Sequence, residues 1–459
     1  MQVLSKLTSV PVTCKEYVHP WTDSCSIASA EFMIVAVQDS FRIYTAVYML
    51  SMAMRGRIPS FEELKRTIRG LLQSTAFLTM SAFSYSIFLC AVRRLAGSFN
   101  FYTASYIPAY MAALCSILVE RPSRRGLLCL YVSNVATETG WNILKSRGLV
   151  RSIPNGEILI FGLSTSILLY YHRLNRQKDY SDSMFDVFRF ALGDSEVMKT
   201  EETGEIRREI RSKERSSKLI LPYSFIQAVL KTYLNVISKI KTLGKHTLCR
   251  HKHSCIYNTL SGGTRMFSIG LGIQVIMKVL FQARRVFRRP ELLRRTFFRK
   301  DILKLGMFLG GFTSLYKLSS CLLRHITNSD RAEYAIPSGL IASLAFAFYN
   351  DTTIALYIMW KMLQMTYNWG IEKGYVPKVP GFTLLLYSAS TALLFHAATL
   401  EPMQLRPSYW KFLYSISGGR IMVMDRSGFD VYGIGTSRQI SEVSKLCNTP
   451  PVLKFQISK

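Results

Sequence analysis

An apolar run that occurs twice constrains this chain more than any other feature. Met307–Arg324 reads MFLGGFTSLYKLSSCLLR, and Ala76–Arg93 reads AFLTMSAFSYSIFLCAVR. At one constant offset Phe308, Leu309, Tyr316, Cys321 and Arg324 repeat Phe77, Leu78, Tyr85, Cys90 and Arg93. Other blocks recur in the same order. Ser24-Cys25 returns as Ser254-Cys255, and Ile107-Pro108 as Ile336-Pro337. Pro154, Leu159, Ser164-Thr165 and Leu168 return as Pro380, Leu385, Ser390-Thr391 and Leu394. Each block alone is weak, but long-range self-similarity in a fixed order points to internal duplication. The expectation is an all-α, multi-pass membrane protein built from two tandem helical repeats.

The charge balance agrees with that class. The 459 residues are 49% hydrophobic yet carry a net charge of +29. Such a charge must be segregated from the apolar residues, or neither a core nor a span could form. The basic residues flank apolar runs, as at Arg284, Arg285, Arg288, Arg289, Arg294, Arg295, Arg299 and Lys300. Juxtamembrane Lys and Arg attract anionic headgroups. A nucleic-acid binder would instead cover one face of a soluble fold with them, so membrane lipids are the expected partner and nucleic acid is not.

Five segments follow. Residues 1–31 are polar and contain Cys14, His19 and Cys25; residues 32–171 form the first helical membrane repeat. Residues 172–252 are a charged connector, with EETGEIRREIRSKERSSK at 201–218 and an amphipathic helix over 221–240. Residues 253–400 form the second repeat, and residues 401–459 a C-terminal tail. Each half offers five candidate spans, some interrupted, as Gln38, Asp39 and Arg42 interrupt Phe32–Met54. The basic loops Arg55–Arg69 and Arg284–Lys300 occupy equivalent positions. The positive-inside rule then favours parallel halves, whereas five true spans per half would invert the second half relative to the first, so topology stays open. The N-terminus lacks the apolar core of a secretory signal and the Arg-rich pattern of a transit peptide.

Three constellations carry possible chemistry. Gly306-x-x-x-Gly310 with Gly311, and Gly339-x-x-x-Ser343, let helix backbones approach closely, and their neighbourhood suggests packing on each other. Ala109-x-x-x-Ala113 is a first-half counterpart. Lys317 lies inside the repeated run where the first copy has Ser86. An intramembrane charge marks a pathway or an ion pair, here with Asp301 or Glu138. Each half also opens on Cys and His residues: Cys14, His19 and Cys25, then His246, Cys249, His251, His253 and Cys255. These could share one Zn2+ across the repeats. Close C-x2-C pairs are missing, so disulfides or plain thiols are simpler, and no metal site is assigned. Cys90, Cys115, Cys129 and Cys321 lie in apolar runs, where Cys acts as a small hydrophobe.

No catalytic motif of the nucleophile-elbow, Walker, zincin or dinucleotide type is present. His325 and His396 read as packing residues. Neither catalytic residues nor a cofactor are expected, and the chain does not read as an enzyme.

The motif set resembles the transmembrane protein 135 family, also called peroxisomal membrane protein 52. Its marks are the Cys/His segment through Cys25, SRRGLL at Ser123–Leu128, and ATET at Ala136–Thr139. RMFSIG at Arg265–Gly270, LGGFTSLYK at Leu309–Lys317, and LRPSYWKFL at Leu405–Leu413 complete them. The second half is similar to the mitochondrial inner-membrane translocase channel family. That signature is approximated by Phe312, Arg324, Asp330, Ser338-Gly339 and Ser343 with altered gaps. The resemblance implies a multi-pass protein of mitochondrial and peroxisomal membranes. It implies a part in the mitochondrial fission/fusion balance through a dynamin-related fission GTPase, and in peroxisome organisation and lipid homeostasis. The alternative is a transporter or translocase-like conduit for a metabolite, lipid or polypeptide.

Overall fold

The computed structural model describes residues 8–54, 59–174, 183–193, 196–197, 235–288, 300–453 and 455–456. The charged stretch at 201–218, most of the connector helix at 221–240, and much of the basic loop at 284–300 lie outside them. No strand occurs among the described residues; one isolated antiparallel bridge joins Val10 and Phe99. The chain forms two compact units, residues 1–152 with 368–459, and residues 153–367.

Unit 1 begins with α1 (Cys14–Tyr17), α2 (Cys25–Met54), α3 (Phe61–Ala96), α4 (Tyr106–Val119) and α5 (Pro122–Ser146). Helix α3 starts where Ser60 and Glu63 cap each other's backbone N–H groups at 3.3 and 3.2 Å, a reciprocal capping box. It ends at Gly97, whose φ of 69° is a conformation side chains disfavour. Helix α5 opens on Pro122 at its first position, where no N–H is needed.

Unit 2 contains α6 (Gly156–Arg173), α7 (Ser183–Leu192), α8 (Cys255–Arg288), α9 (Leu303–Thr327) and α10 (Ala335–Ser343). Helix α11 (Thr352–Glu372) carries the chain out of it. Unit 1 then resumes with α12 (Phe382–Leu400), α13 (Pro407–Ile416), α14 (Arg420–Val423) and α15 (Thr436–Cys447).

In unit 1, α3 packs on α2 and α4, while α12 lies against both α4 and α5. Phe77, Ile117, Val135, Leu394 and Trp410 meet in its larger core. In unit 2, α9 packs on α8 and α10, and α6 lies against α10. Phe161 stacks on Phe346 at 4.2 Å, with Phe308 and Phe312 edge-on, to form that core.

Residues 401–459 do not form a tail. Trp410 is fully buried, and Arg420 reaches Glu31 of α2 at 3.1 Å with both side chains buried. Ser415 donates to Asp39 at 2.8 Å. Asp39, which interrupts Phe32–Met54, and Glu31 just before that run therefore meet partners from the C-terminal segment, satisfying charges that an apolar face could not hold.

Two described helices are long and apolar enough to cross a membrane, Phe61–Ala96 (α3) and Phe382–Leu400 (α12). This is fewer than the five per half expected from sequence. Helix α9, which holds the second copy of the repeated run, is not among them; it includes Lys304, Lys317, Arg324 and many hydroxyl residues. The best apolar window of α3 is 33% buried and that of α12 is 61% buried, so α3 offers more surface to lipid.

Candidate functional site

The two glycine-bearing segments pack on each other as their sequence neighbourhood suggested, but Gly306, Gly310 and Gly339 make their close contacts with other helices. A Cβ on Gly306 or Gly310 would fall 3.0 Å from the Phe267 carbonyl or 2.9 Å from the Gly263 carbonyl, both on α8. Gly270 of α8 completes that contact against Gly306. Gly339 instead meets Ser166 of α6, and Gly311 faces Ala345, just beyond the end of α10. RMFSIG and LGGFTSLYK, separate marks in the sequence, are thus one helix–helix contact. ATET and LRPSYWKFL also meet, because Arg406 donates to Glu138 and, at 3.3 Å, to Asn134.

Lys317 is buried and donates to Asn258 of α8 at 3.3 Å. Its expected partners are engaged elsewhere, Asp301 with Lys304 at 2.9 Å and Glu138 with Arg406. An amide contact from the neighbouring helix replaces the expected ion pair.

The Cys/His residues assemble into two groups, one in each unit. Cys14, His19, Cys25 and Cys90 place one donor atom each within 4.8 Å of all the others. Cys249, His251, Cys255 and Cys321 do the same. In unit 2 the Cys249 sulfur lies 3.7 Å from that of Cys255 and 3.9 Å from that of Cys321. The His251 Nε2 is 3.5 Å from the Cys321 sulfur. In unit 1 the His19 Nε2 is 3.3 Å from the Cys25 sulfur. The thiols are not disulfide-bonded: all nine cysteines are free.

Both imidazoles are oriented in one way. His19 Nδ1 donates to the Thr22 carbonyl at 2.8 Å, and His251 Nδ1 donates to the His253 carbonyl at 2.6 Å. A carbonyl only accepts, so Nδ1 carries the proton and the Nε2 lone pair faces the sulfurs. Metal-bound histidines are commonly held by such a backbone carbonyl. Hydrogen bonding from Cys90 holds the Cys14 thiol below its ordinary pKa against the opposing effect of burial; Cys25, Arg93 and Arg94 reinforce it. Cys249 is lowered in the same sense, first by Cys321 and then by His251, Cys255 and Arg324. One thiol of each group, Cys14 or Cys249, is therefore biased toward thiolate, the state that binds metal, whereas the hydrogen bond with Cys249 and burial push Cys321 the opposite way.

Neither group matches the single shared site that the sequence suggested. His246 hydrogen-bonds Asn328 at 3.0 Å, and the His253 ring packs on Tyr257 at 5.1 Å, both outside the group. Cys90 and Cys321, read as small hydrophobes, complete the two sets. The available signal was that both recur in the repeated run, 65 residues after Cys25 and 66 after Cys255.

One turn beyond each of these cysteines stands the repeated arginine. Arg93 donates to the Val12 carbonyl at 2.6 Å, anchoring the segment that leads to Cys14. Arg324 is buried between Glu196 at 2.8 Å and Asp330 at 3.0 Å. Arg173 and Arg250 also reach Asp330. Burial alone would raise the Asp330 pKa, but Arg324 and Arg173 outweigh it and hold the carboxyl below its ordinary value.

Unit 1 also holds a partly open cavity of about 230 Å3, lined by side chains such as Phe32, Tyr44, Phe77, Leu128, Phe395 and Phe412. Its walls are aromatic and aliphatic, which suits an apolar chain or ring.

Residues 11–144 match the family described as the N-terminal cysteine-rich region of Transmembrane protein 135. That region contains all four members of the first Cys/His group and all of α3. No solved structure matches the chain.

Proposed function

We propose a function from the premise that this chain belongs to the transmembrane protein 135 family. It is a multi-pass protein of mitochondrial and peroxisomal membranes that shifts the fission/fusion balance toward mitochondrial fission, with a part in peroxisome organisation and lipid homeostasis. The observation that carries the reading is the match over residues 11–144. The protein acts as an adaptor rather than an enzyme: it recruits a dynamin-related fission GTPase, and its basic loops contact anionic lipid.

The tandem-repeat architecture belongs to the same reading. Its support is that like helices do like jobs. Helices α2 and α8 both begin at the third Cys/His ligand position, α3 and α9 carry the repeated run, and α4 and α10 carry the Ile-Pro pair. The last matched helix of each half packs in the other unit, α12 on α4 and α6 on α10. The two repeats have thus exchanged their final helices.

The test is deletion and re-expression in cells, scoring mitochondrial length, peroxisome number, neutral-lipid content and membrane-bound fission GTPase. Restoration of all four by the wild-type chain is expected; unchanged mitochondrial length and GTPase recruitment after deletion would sink the adaptor reading. The apolar cavity favours a second reading, a conduit or carrier for a lipid. Flux of a fluorescent lipid through liposomes holding the purified chain, lost on Phe77→Arg, would select it. Lys317→Met leaves localisation and mitochondrial length unchanged under the adaptor reading.

A further inference from the structure

We propose that each unit is built around one structural Zn2+, held by Cys14, His19, Cys25 and Cys90 in unit 1 and by Cys249, His251, Cys255 and Cys321 in unit 2.

The first ground is distance. Metal–sulfur bonds near 2.3 Å and metal–nitrogen bonds near 2.0 Å in a tetrahedron set ligand atoms roughly 3.5–3.8 Å apart. The unit 2 separations of 3.7, 3.9 and 3.5 Å are edges of that figure. A disulfide requires sulfurs about 2.05 Å apart, well inside the observed spacing. Packing of chance thiols would not gather three of them with an imidazole twice in one chain.

The second ground is orientation. In both groups the imidazole turns an unprotonated Nε2 toward the sulfurs and fixes Nδ1–H on a backbone carbonyl. Chain order is also the same: Cys, His and Cys from the segment that leads into a long helix and from its first turn, then Cys from the next long helix. The metal therefore ties an irregular segment to the C-terminal part of a long helix in each unit, and binding displaces the thiol protons.

The donor set selects the ion and its role. Three thiolates and one imidazole in tetrahedral array suit zinc, and four protein ligands leave no open position for a reacting water. A two-iron cluster would spread ligands of different irons beyond the common radius of 4.8 Å that all four atoms share. The role is structural, and independent of whether the protein acts as adaptor or conduit.

The experiment uses the full chain, expressed with zinc in the medium and purified in detergent with a reductant. Metal content and the zinc X-ray absorption edge are the readouts. Two zinc ions per chain are expected, each with about three sulfur neighbours and one nitrogen. Cys90→Ser and Cys321→Ser should each remove one ion. Because those variants could fail to fold, His19→Cys and His251→Cys provide a conservative arm: zinc is retained and the average sulfur count rises. One zinc or none, an oxygen-rich shell, bound iron with visible colour, or disulfides found by non-reducing mass spectrometry would overturn the proposal.

Discussion

The two Cys/His groups use the same four donors in the same chain order, yet their surroundings differ. In unit 1 Cys25 is exposed and Cys14 and Cys90 are half-buried, whereas in unit 2 Cys249 and Cys321 are both buried. The repeated arginine differs in the same direction. Arg93 grips a backbone carbonyl and lies over the Phe99 ring, while Arg324 is locked between two carboxylates in the interior. One local plan has thus been given a solvent-facing setting and a buried ionic setting. A ligand set can be kept while its support is rebuilt.

The largest effect should come from the ligands themselves. Cys321→Ser should lower the melting temperature of unit 2 by on the order of 10 °C, since metal binding energy is folding energy. Cys90→Ser should act in the same direction but less, because its group is more open; scanning calorimetry of both variants measures the difference. Equal effects would break the contrast between the two settings.

Next come the arginines. Arg324→Ala removes the arginine paired with the buried Glu196, while Asp330 keeps Arg173 and Arg250, and should cost about 3–5 kcal/mol. Arg93→Ala loses hydrogen bonds to the Val12 and Gly97 carbonyls and should cost roughly 1–3 kcal/mol. Chemical denaturation in detergent gives both values, and the ratio matters more than either.

Packing gives a smaller effect confined to unit 2. A Cβ at Gly310 meets the Gly263 carbonyl at 2.9 Å and the Phe267 Cβ at 2.8 Å, contacts that backbone must move to relieve. Gly310→Ala should cost about 1–3 kcal/mol, whereas Gly126→Ala, where nothing lies within 4 Å, should be neutral or stabilising. Thermal shift of the two variants side by side checks this.

Acid should also separate the units. Because the folded Asp330 pKa is depressed, its contribution is present above the unfolded value of about 3.9 and is lost as pH falls through the folded value. Unit 2 should therefore lose stability as pH drops below about 4. Asp330→Asn should flatten that acid limb, read by near-UV circular dichroism against pH. The smallest difference is kinetic: a strong zinc chelator should strip the unit 1 site first, followed by zinc release with a colorimetric reporter.

The interior of the site was only partly legible in the sequence. Cys14, His19, Cys25, Cys249, His251 and Cys255 stood out because they cluster within short polar stretches. Cys90 and Cys321 did not, since a cysteine in an apolar run looks like core until another segment brings thiols to it. Lys317 was legible as an anomaly, but its Asn258 partner was not, because nothing in local pattern records which neighbouring helix supplies an amide. Residues 401–459 read as a tail for a similar reason. Their helices are short, and what holds them is pairing with Glu31, Asp39 and Glu138 far upstream.

By itself the sequence determined what depends on neighbours along the chain. Periodicity is sufficient to set an all-helical class and the presence of apolar helices, but not the start of α3, whose first turns over Phe61–Arg69 fall in the stretch read as a basic loop. The sequence also displayed the recurrence of Cys90 and Arg93 as Cys321 and Arg324. Only the tertiary structure decided which residues share a site and which helices share a unit. Those are matters of contact between distant segments, where α12 chooses α4 and α6 chooses α10, and where one cysteine on a long helix closes a ring of donors begun more than 70 residues earlier.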